Sequence, residues 1–208
     1  MDKIITISGL PGSGSTTAAK LLAKKLDCNY FSPGQLFKDI AAGKYKEQHY
    51  HAQFKKLCDE RSIIIPELSS KNASEGTVDL WNSEFGKSAV LHKTIDDLQI
   101  ELAKNGNIVL DGKLSLYMIK DAHIKIWLHA SKEKRAKRSA ERDKIDLEKA
   151  RNLVEVRERK EREEWKKIYG FDSQEQEKLA HVVLDTSNLN PEEVIKEILS
   201  NAKCFLSG

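Results

Sequence analysis

The 208-residue sequence predicts an α/β fold, a parallel sheet covered on both faces by helices. Two observations carry this. Short apolar, β-branched runs alternate along the chain with longer segments of helical periodicity, and the first such run passes through a glycine-rich turn directly into a helix. The first strand is Lys3 to Ser8, where Ile4, Ile5 and Ile7 with Thr6 form the kind of run found in a strand buried on both faces. From Thr16 to Leu26, Ala18, Ala19, Leu21, Leu22 and Leu26 recur at helical spacing, Asp27 and Asn29 break the pattern, and Tyr30-Phe31 makes a second, short strand. After the turn Ser32-Pro33-Gly34, a helix is expected from Gln35 to about Ala42 with Leu36, Phe37 and Ile40 on one side. From Gly43 to His92 the pattern weakens; this stretch holds His49, His51, Pro66, the polar run Ser69 to Gly76, Trp81 and Phe85, and short helices or a hairpin are expected there. Periodicity returns in a helix from Thr94 to Asn105 that ends at Gly106, a good C-cap residue. Asn107 to Gly112 then reads as a buried strand ending in the acid Asp111, and His123 to His129 as a further strand. A long charged helical region occupies about Ser131 to Tyr169, His181 to Asp185 forms the last strand, and Pro191 opens the last helix, which runs to Ala202.

Composition narrows the function classes. With 39% hydrophobic and 32% charged residues and no apolar run longer than a few residues, a membrane span is excluded. The net charge of +3 is too small for a nucleic-acid coat over the whole surface, so any anion site must be local. Cys28, Cys58 and Cys204 are odd in number and widely spaced, which opposes a disulfide framework and a zinc site, and they read as reduced thiols. His49-Tyr50-His51 lacks the accompanying Cys or carboxylate pattern of a metal site and reads as polar surface. The first residues lack the basic and long apolar regions of a signal peptide, so a cytoplasmic location is expected.

Three features carry chemistry. Gly9-Leu10-Pro11-Gly12-Ser13-Gly14-Ser15-Thr16 lies between the first strand and the first helix, where a helix N-terminus presents unpaired amides and a positive dipole end to phosphate oxygens. It fits the phosphate-loop pattern Gly-x4-Gly-Lys-[Ser/Thr] with Thr16 at the magnesium-holding hydroxyl position, except that Ser15 replaces the lysine that reaches the β and γ phosphates. Asp111 stands at the carboxyl end of a parallel strand, aimed at the crevice where phosphates bind; it can orient a magnesium shell, bind substrate, or cap the following helix. Basic residues crowd 132–167 among acids, mostly as a salt-bridged helix face, but Arg135, Arg138 and Arg142 fall at i, i+3, i+7 on one face, able to converge on a phosphate chain as part of a mobile lid.

Taken together these residues resemble the archaeal-type cytidylate kinase family, a branch of the P-loop nucleoside monophosphate kinases. Ile4 to Thr17 is similar to that family's loop, in which the lysine position is commonly Ser or Thr. Ser32 to Lys38 resembles its Gly-x-[Ile/Leu]-[Phe/Tyr]-Arg element and Ile108 to Lys113 its strand ending in acid-Gly-Arg, with lysine in place of arginine in both. Asp121 to Ser131 with Arg135 and Arg138 looks like the strand leading into the lid, Trp165 and Tyr169-Gly170 like the end of the lid helix, although Glu164 stands where arginine is usual, and Val183 to Leu189 followed by Glu192-Glu193-Val194 like the tail. The resemblance implies a three-layer P-loop kinase fold with a parallel sheet, a small acceptor-binding lobe and an arginine-bearing helical lid. It implies a single domain over 1–208, with a core of about 1–42, 94–130 and 180–208, the lobe at about 43–93 and the lid at about 131–170. It further implies that ATP with Mg2+ binds at Gly9 to Thr17, that Lys38 and Lys113 take the acceptor phosphate, that Asp96 lies near the acceptor pocket, and that Arg135, Arg138, Arg142 and Arg157 are lid residues.

The leading expectation is therefore a magnesium-dependent kinase that moves the γ-phosphoryl of ATP to the 5′-phosphate of CMP, dCMP or a related monophosphate, its partners being small nucleotides. The alternative from another class is a diverged P-loop ATPase or nucleotide switch of the same fold that binds RNA or a protein partner through the basic region; a kinase for a different small acceptor is the third.

Overall fold

The computed structural model describes residues 3–67, 79–80 and 82–206. The polar run Ser69 to Gly76 and Trp81 lie outside the described residues. The chain divides into two compact units, Met1–Tyr30 with Asn107–Gly208, and Phe31–Gly106. The helical region expected as a lid is part of the first unit, and the second has wider bounds than the lobe expected at 43–93.

The strands are β1 (Ile4–Gly9), β2 (Asn29–Phe31), β3 (Ile108–Asp111), β4 (Ile124–His129) and β5 (Val182–Asp185), in the order β2-β3-β1-β4-β5. The main helices are α1 (Ser15–Leu26), α2 (Pro33–Ala41), α3 (His51–Glu60), α4 (Ala89–Lys104), α5 (Lys132–Asp143), α6 (Leu147–Tyr169) and α7 (Pro191–Asn201).

In the first unit β1 pairs in parallel with β3 on one side, Ile5 opposite Val109, and with β4 on the other, Ile7 opposite Ile126. β4 in turn pairs in parallel with β5, Leu128 opposite Leu184. The core joins Ile5, Ile7, Val109, Ile124, Ile126 and Leu128 of the sheet to Ala18, Ala19 and Leu22 of α1 and to Val194, Ile195 and Ile198 of α7. A buried leucine or isoleucine contributes roughly 1.5–3 kcal/mol by leaving water, so this layer fixes how α1, and the loop before it, meets the sheet.

Helix ends follow local signals. α1 stops at Asp27, whose φ of 51° is left-handed. α7 starts with Pro191 at its first turn behind a capping box in which Asn190 accepts from Glu193 N and the Glu193 carboxylate accepts from Asn190 N. The charged region expected as one helix is two. Lys144 adopts φ 53° as the C-cap of α5, and Asp146 restarts the helix by accepting from Lys149 N at 2.9 Å. A 3₁₀ helix, Ser173–Leu179, follows α6 and was not expected from the pattern.

The second unit packs α2, α3 and α4 through Leu36, Phe37, Ile40, Phe54, Leu57, Leu91, Ile95 and Leu98, all buried. α4 begins at Ala89 behind the cap Ser88, five residues before the expected start at Thr94, and its buried face includes His92, Thr94, Asp96 and Gln99. Asp39 accepts from Gln35 Nε2 at 2.9 Å and from the Tyr50 hydroxyl at 3.4 Å, tying α2 to the entry of α3.

Candidate active site

The loop that leaves β1 is shaped by its neighbours as much as by an anion. A Cβ on Gly9 would lie 2.1 Å from the Leu128 carbonyl oxygen and 2.6 Å from Ser13 Oγ, so only glycine lets β4 and the returning loop close over this point. Gly12 has φ 83°, and a Cβ there would meet the Arg135 carbonyl at 2.8 Å. Ser13 N donates to the Leu10 carbonyl at 3.0 Å, which folds the loop back on itself. Gly14, left-handed as well, is the N-cap of α1 and supplies no side-chain acceptor, so the first-turn amides of Ser15, Thr16 and Thr17 have no side-chain cap. With Lys24 and Lys25 in the last turn, the dipole of α1 is complemented at its C-terminus and open to an anion at its N-terminus. Ser13 Oγ is buried without a hydrogen-bond partner among the described residues.

Asp111, at the end of β3, meets the other end of this loop. Its Oδ2 accepts from Thr16 Oγ1 at 2.7 Å and from the Tyr30 hydroxyl at 3.3 Å. Burial pushes its carboxyl above the ordinary range, partly offset by these hydroxyls, by Ser15 and by the Lys113 charge. The capping alternative is corrected: the helical turn Ser115–Met118 has no side-chain cap, and the Asp111 carboxylate is spent on α1. Thr16 and Asp111 thus form an oxygen donor pair beside the uncapped amides, the hard donor set that suits Mg2+ when substrate phosphates and water complete its shell. Among the described residues no group of three or more His, Cys, Asp or Glu is placed so that it could hold a metal ion by itself.

Lys113 lies across the mouth of the loop. Its Nζ donates to the Gly9 carbonyl at 2.8 Å and sits 3.5 Å from Glu161 Oε2 of α6. Its own carbonyl accepts from Gln176 Nε2 at 2.6 Å and Ser8 Oγ at 3.3 Å, so the backbone is held from two sides. Burial pushes the ammonium down, opposed chiefly by Glu161. Burial raises Glu161 too, but Lys113 and Arg157 outweigh it and hold the carboxyl below its usual range.

The arginines do not converge on one point. Arg135, 4% exposed, donates to the Ala130 carbonyl at 3.1 Å, the Pro11 carbonyl at 3.2 Å and Glu158 at 2.9 Å. Arg138 donates to the Ser13 carbonyl at 3.3 Å, to Thr186 Oγ1 at 2.9 Å and to the Thr186 carbonyl at 2.6 Å. Both therefore brace the back of the loop. Arg142 pairs with Asp143 and Arg157 with Glu161, both half-exposed. A cleft of about 350 Å³ opens beside Arg138, lined by Lys134, Lys137, Glu141 and the residues Ser187 to Asn190. In the second unit Lys38 is exposed on α2, while Asp96 is buried on α4 and accepts from Gln99 Nε2 at 2.8 Å.

Sequence reasoning missed three contributors. Thr186 donates to the Ser13 carbonyl at 2.8 Å, and its signal was its place just past the end of a parallel strand. Glu158 and Glu161 looked like any other acids of a salt-bridged helix, and only their i, i+3 spacing set them on one face.

A central parallel strand running into a glycine loop and helix, with a hydroxyl and a carboxylate at the loop's far end, defines an α/β P-loop nucleotide-binding protein. The model of the cytidylate kinase-like family matches residues 4–188, and the chain belongs to that family. It is 33% identical over 205 residues to the cytidylate kinase of Methanocaldococcus jannaschii, covering 95% of this chain and 96% of that one, and 32% identical over 200 residues to the cytidylate kinase of Methanopyrus kandleri, covering 91% and 88%. Solved structures share the fold: an uncharacterized protein of Eubacterium ventriosum (TM-score 0.58, 15% identity, 97% and 98% coverage) and shikimate kinase of Acinetobacter baumannii in complex with shikimate (TM-score 0.52, 15% identity, 98% and 92%).

Proposed function

We propose that this chain transfers the γ-phosphoryl group of ATP to the 5′-phosphate of CMP or dCMP, giving ADP and the nucleoside diphosphate, in the cytoplasm where these nucleotides are found. The observation that carries the reading is the Thr16–Asp111 contact at 2.7 Å beside the uncapped amides of α1. Phosphoryl transfer asks little covalent chemistry of a protein; positioning and charge stabilisation do the work. The amides of Ser15 to Thr17 bind the donor phosphates, and Arg135 and Arg138 keep those amides aimed by holding the carbonyls on the loop's other side. Thr16 and Asp111 would hold Mg2+, which when bound neutralises phosphate charge. The cleft beside Arg138 takes the rest of the donor nucleotide. Lys38 and Asp96 serve the acceptor, Lys38 as a cation for its phosphate. Arg142 and Arg157, which are themselves half-exposed and paired with Asp143 and Glu161, exchange these carboxylates for the charge on the phosphate chain.

The test is ADP formation from magnesium-ATP with CMP, dCMP, UMP, AMP and GMP supplied one at a time beside a control without acceptor. Turnover that depends on CMP or dCMP is expected. ADP formed equally without acceptor overturns the kinase reading in favour of an ATPase.

A further inference from the structure

Ser15 leaves the loop without the lysine that normally spans it and meets the β and γ phosphates. A cation nonetheless sits at the loop's mouth. Lys113 Nζ bonds the carbonyl of Gly9, the first residue of the loop, and its charge is felt by Asp111, which is bonded to Ser15 and Thr16 at the loop's other end. The ammonium therefore sits at the loop's first residue, reaching in from just past β3, while Asp111, two residues before it, bonds Thr16 at the loop's other end. It borders a small cavity of about 20 Å³, room for about one water, shared with Gly9, Leu10, Pro11, Glu158 and Glu161.

Three features hold it there. Ser8 and Gln176 fix the Lys113 carbonyl, Glu161 supplies a counter-charge from α6, and Gln176 is itself buried and accepts from Tyr117 N at 3.1 Å. A surface lysine meant to sweep across solvent needs none of this bracing. An ammonium bonded to a backbone carbonyl keeps donors for a second acceptor, and a phosphate oxygen is a stronger one than a neutral carbonyl.

We propose that Lys113 replaces the missing loop lysine, so that its ammonium binds the β and γ phosphates of the donor nucleotide rather than the acceptor phosphate, with Glu161 as the positioning residue that holds it at Gly9. The assignment rests on the kinase reading only for the identity of the acceptor. Its basis is the geometry of one compact unit, since loop, Lys113 and Glu161 all belong to Met1–Tyr30 with Asn107–Gly208.

The experiment is isothermal titration calorimetry with two probes, magnesium β,γ-imido-ATP and CMP, on the unsubstituted protein, Lys113→Gln, Lys113→Arg, Ser15→Lys and the double variant Ser15→Lys/Lys113→Gln. Lys113→Gln keeps a donor for Gly9 and loses the charge; it is expected to weaken imido-ATP binding at least tenfold and to change CMP binding less than twofold. Lys113→Arg, which keeps the charge, is expected to lose less than Lys113→Gln and serves the same comparison should Lys113→Gln not fold. The double variant, with its lysine restored to the loop, is expected to recover imido-ATP affinity to within about threefold. Weaker CMP binding with unchanged imido-ATP binding overturns the proposal, and so does a folded double variant that binds imido-ATP no better than Lys113→Gln. If the unsubstituted protein fails to turn over CMP while the imido-ATP series behaves as expected, the acceptor assignment falls and the role of Lys113 stands.

Discussion

At the scale of single residues, the contact between Thr16 and Asp111 sets the sharpest expectation. Thr16→Ala removes one of two oxygen donors and leaves a buried carboxylate with one hydroxyl fewer. KM for magnesium-ATP should rise about tenfold or more, equivalent to about 1.4 kcal/mol, with a smaller change in KM for CMP; steady-state kinetics with each substrate varied in turn measures both. Arg135 makes a different kind of prediction. Its guanidinium is buried against Pro11, Ala130 and Glu158, so Arg135→Ala takes the donor from two carbonyls and leaves the Glu158 carboxylate with Gln174 alone. A loss of roughly 3 kcal/mol in unfolding free energy is expected, as for other broken buried pairs, seen as a lower midpoint in urea with an unchanged slope. The loop itself was legible in the sequence because glycine spacing between an apolar strand and a helix has few other uses. Arg135 and Arg138 were legible as residues and not as braces, because spacing on a helix gives a face and says nothing of which backbone carbonyls that face meets. Lys113 stood out through the likeness of Asp111-Gly112-Lys113 to the family's acid-Gly-Arg, as a residue for the acceptor phosphate; its bond to Gly9 joins residues 104 positions apart.

At the scale of elements, the break between α5 and α6 rests on Lys144, a non-glycine residue in the left-handed region. Such a residue costs roughly 1 kcal/mol relative to glycine, so Lys144→Gly should stabilise the protein by about 0.5–1 kcal/mol, read as a rise of a few degrees in the thermal midpoint. Had α5 and α6 been one helix, the same substitution would destabilise it. The sequence predicted one helical region here because charged residues fill both helices and the turn alike. Strands were easier: β1, β3 and β4 are short, largely apolar segments buried almost throughout, broken only by residues such as Thr6 and Lys125. The start of α4 was hidden for the opposite reason, since His92, Thr94, Asp96 and Gln99 are polar by composition yet buried in the folded unit. The same blindness applied to α3, whose buried residues are only Phe54, Leu57 and Cys58.

At the scale of the whole molecule, the order β2-β3-β1-β4-β5 places β1 in the middle of the sheet, paired on both sides. The strand that delivers the loop is thus the central one of three interior strands. Its amides should be among the slowest in the chain to exchange with deuterium, released only by global unfolding, whereas β5, paired on one side only and carrying the half-exposed Val183, should exchange through local opening. Hydrogen exchange followed by mass spectrometry resolves the two segments. The sequence foretold the parallel pairing but not the order, because an apolar run records its burial and not its neighbours. A durable β1 has a consequence for ageing, heating and mild denaturant alike: the phosphate cradle is anchored to the last part of the protein to come undone, so damage that frays the sheet's rim leaves nucleotide capture intact until the molecule as a whole gives way.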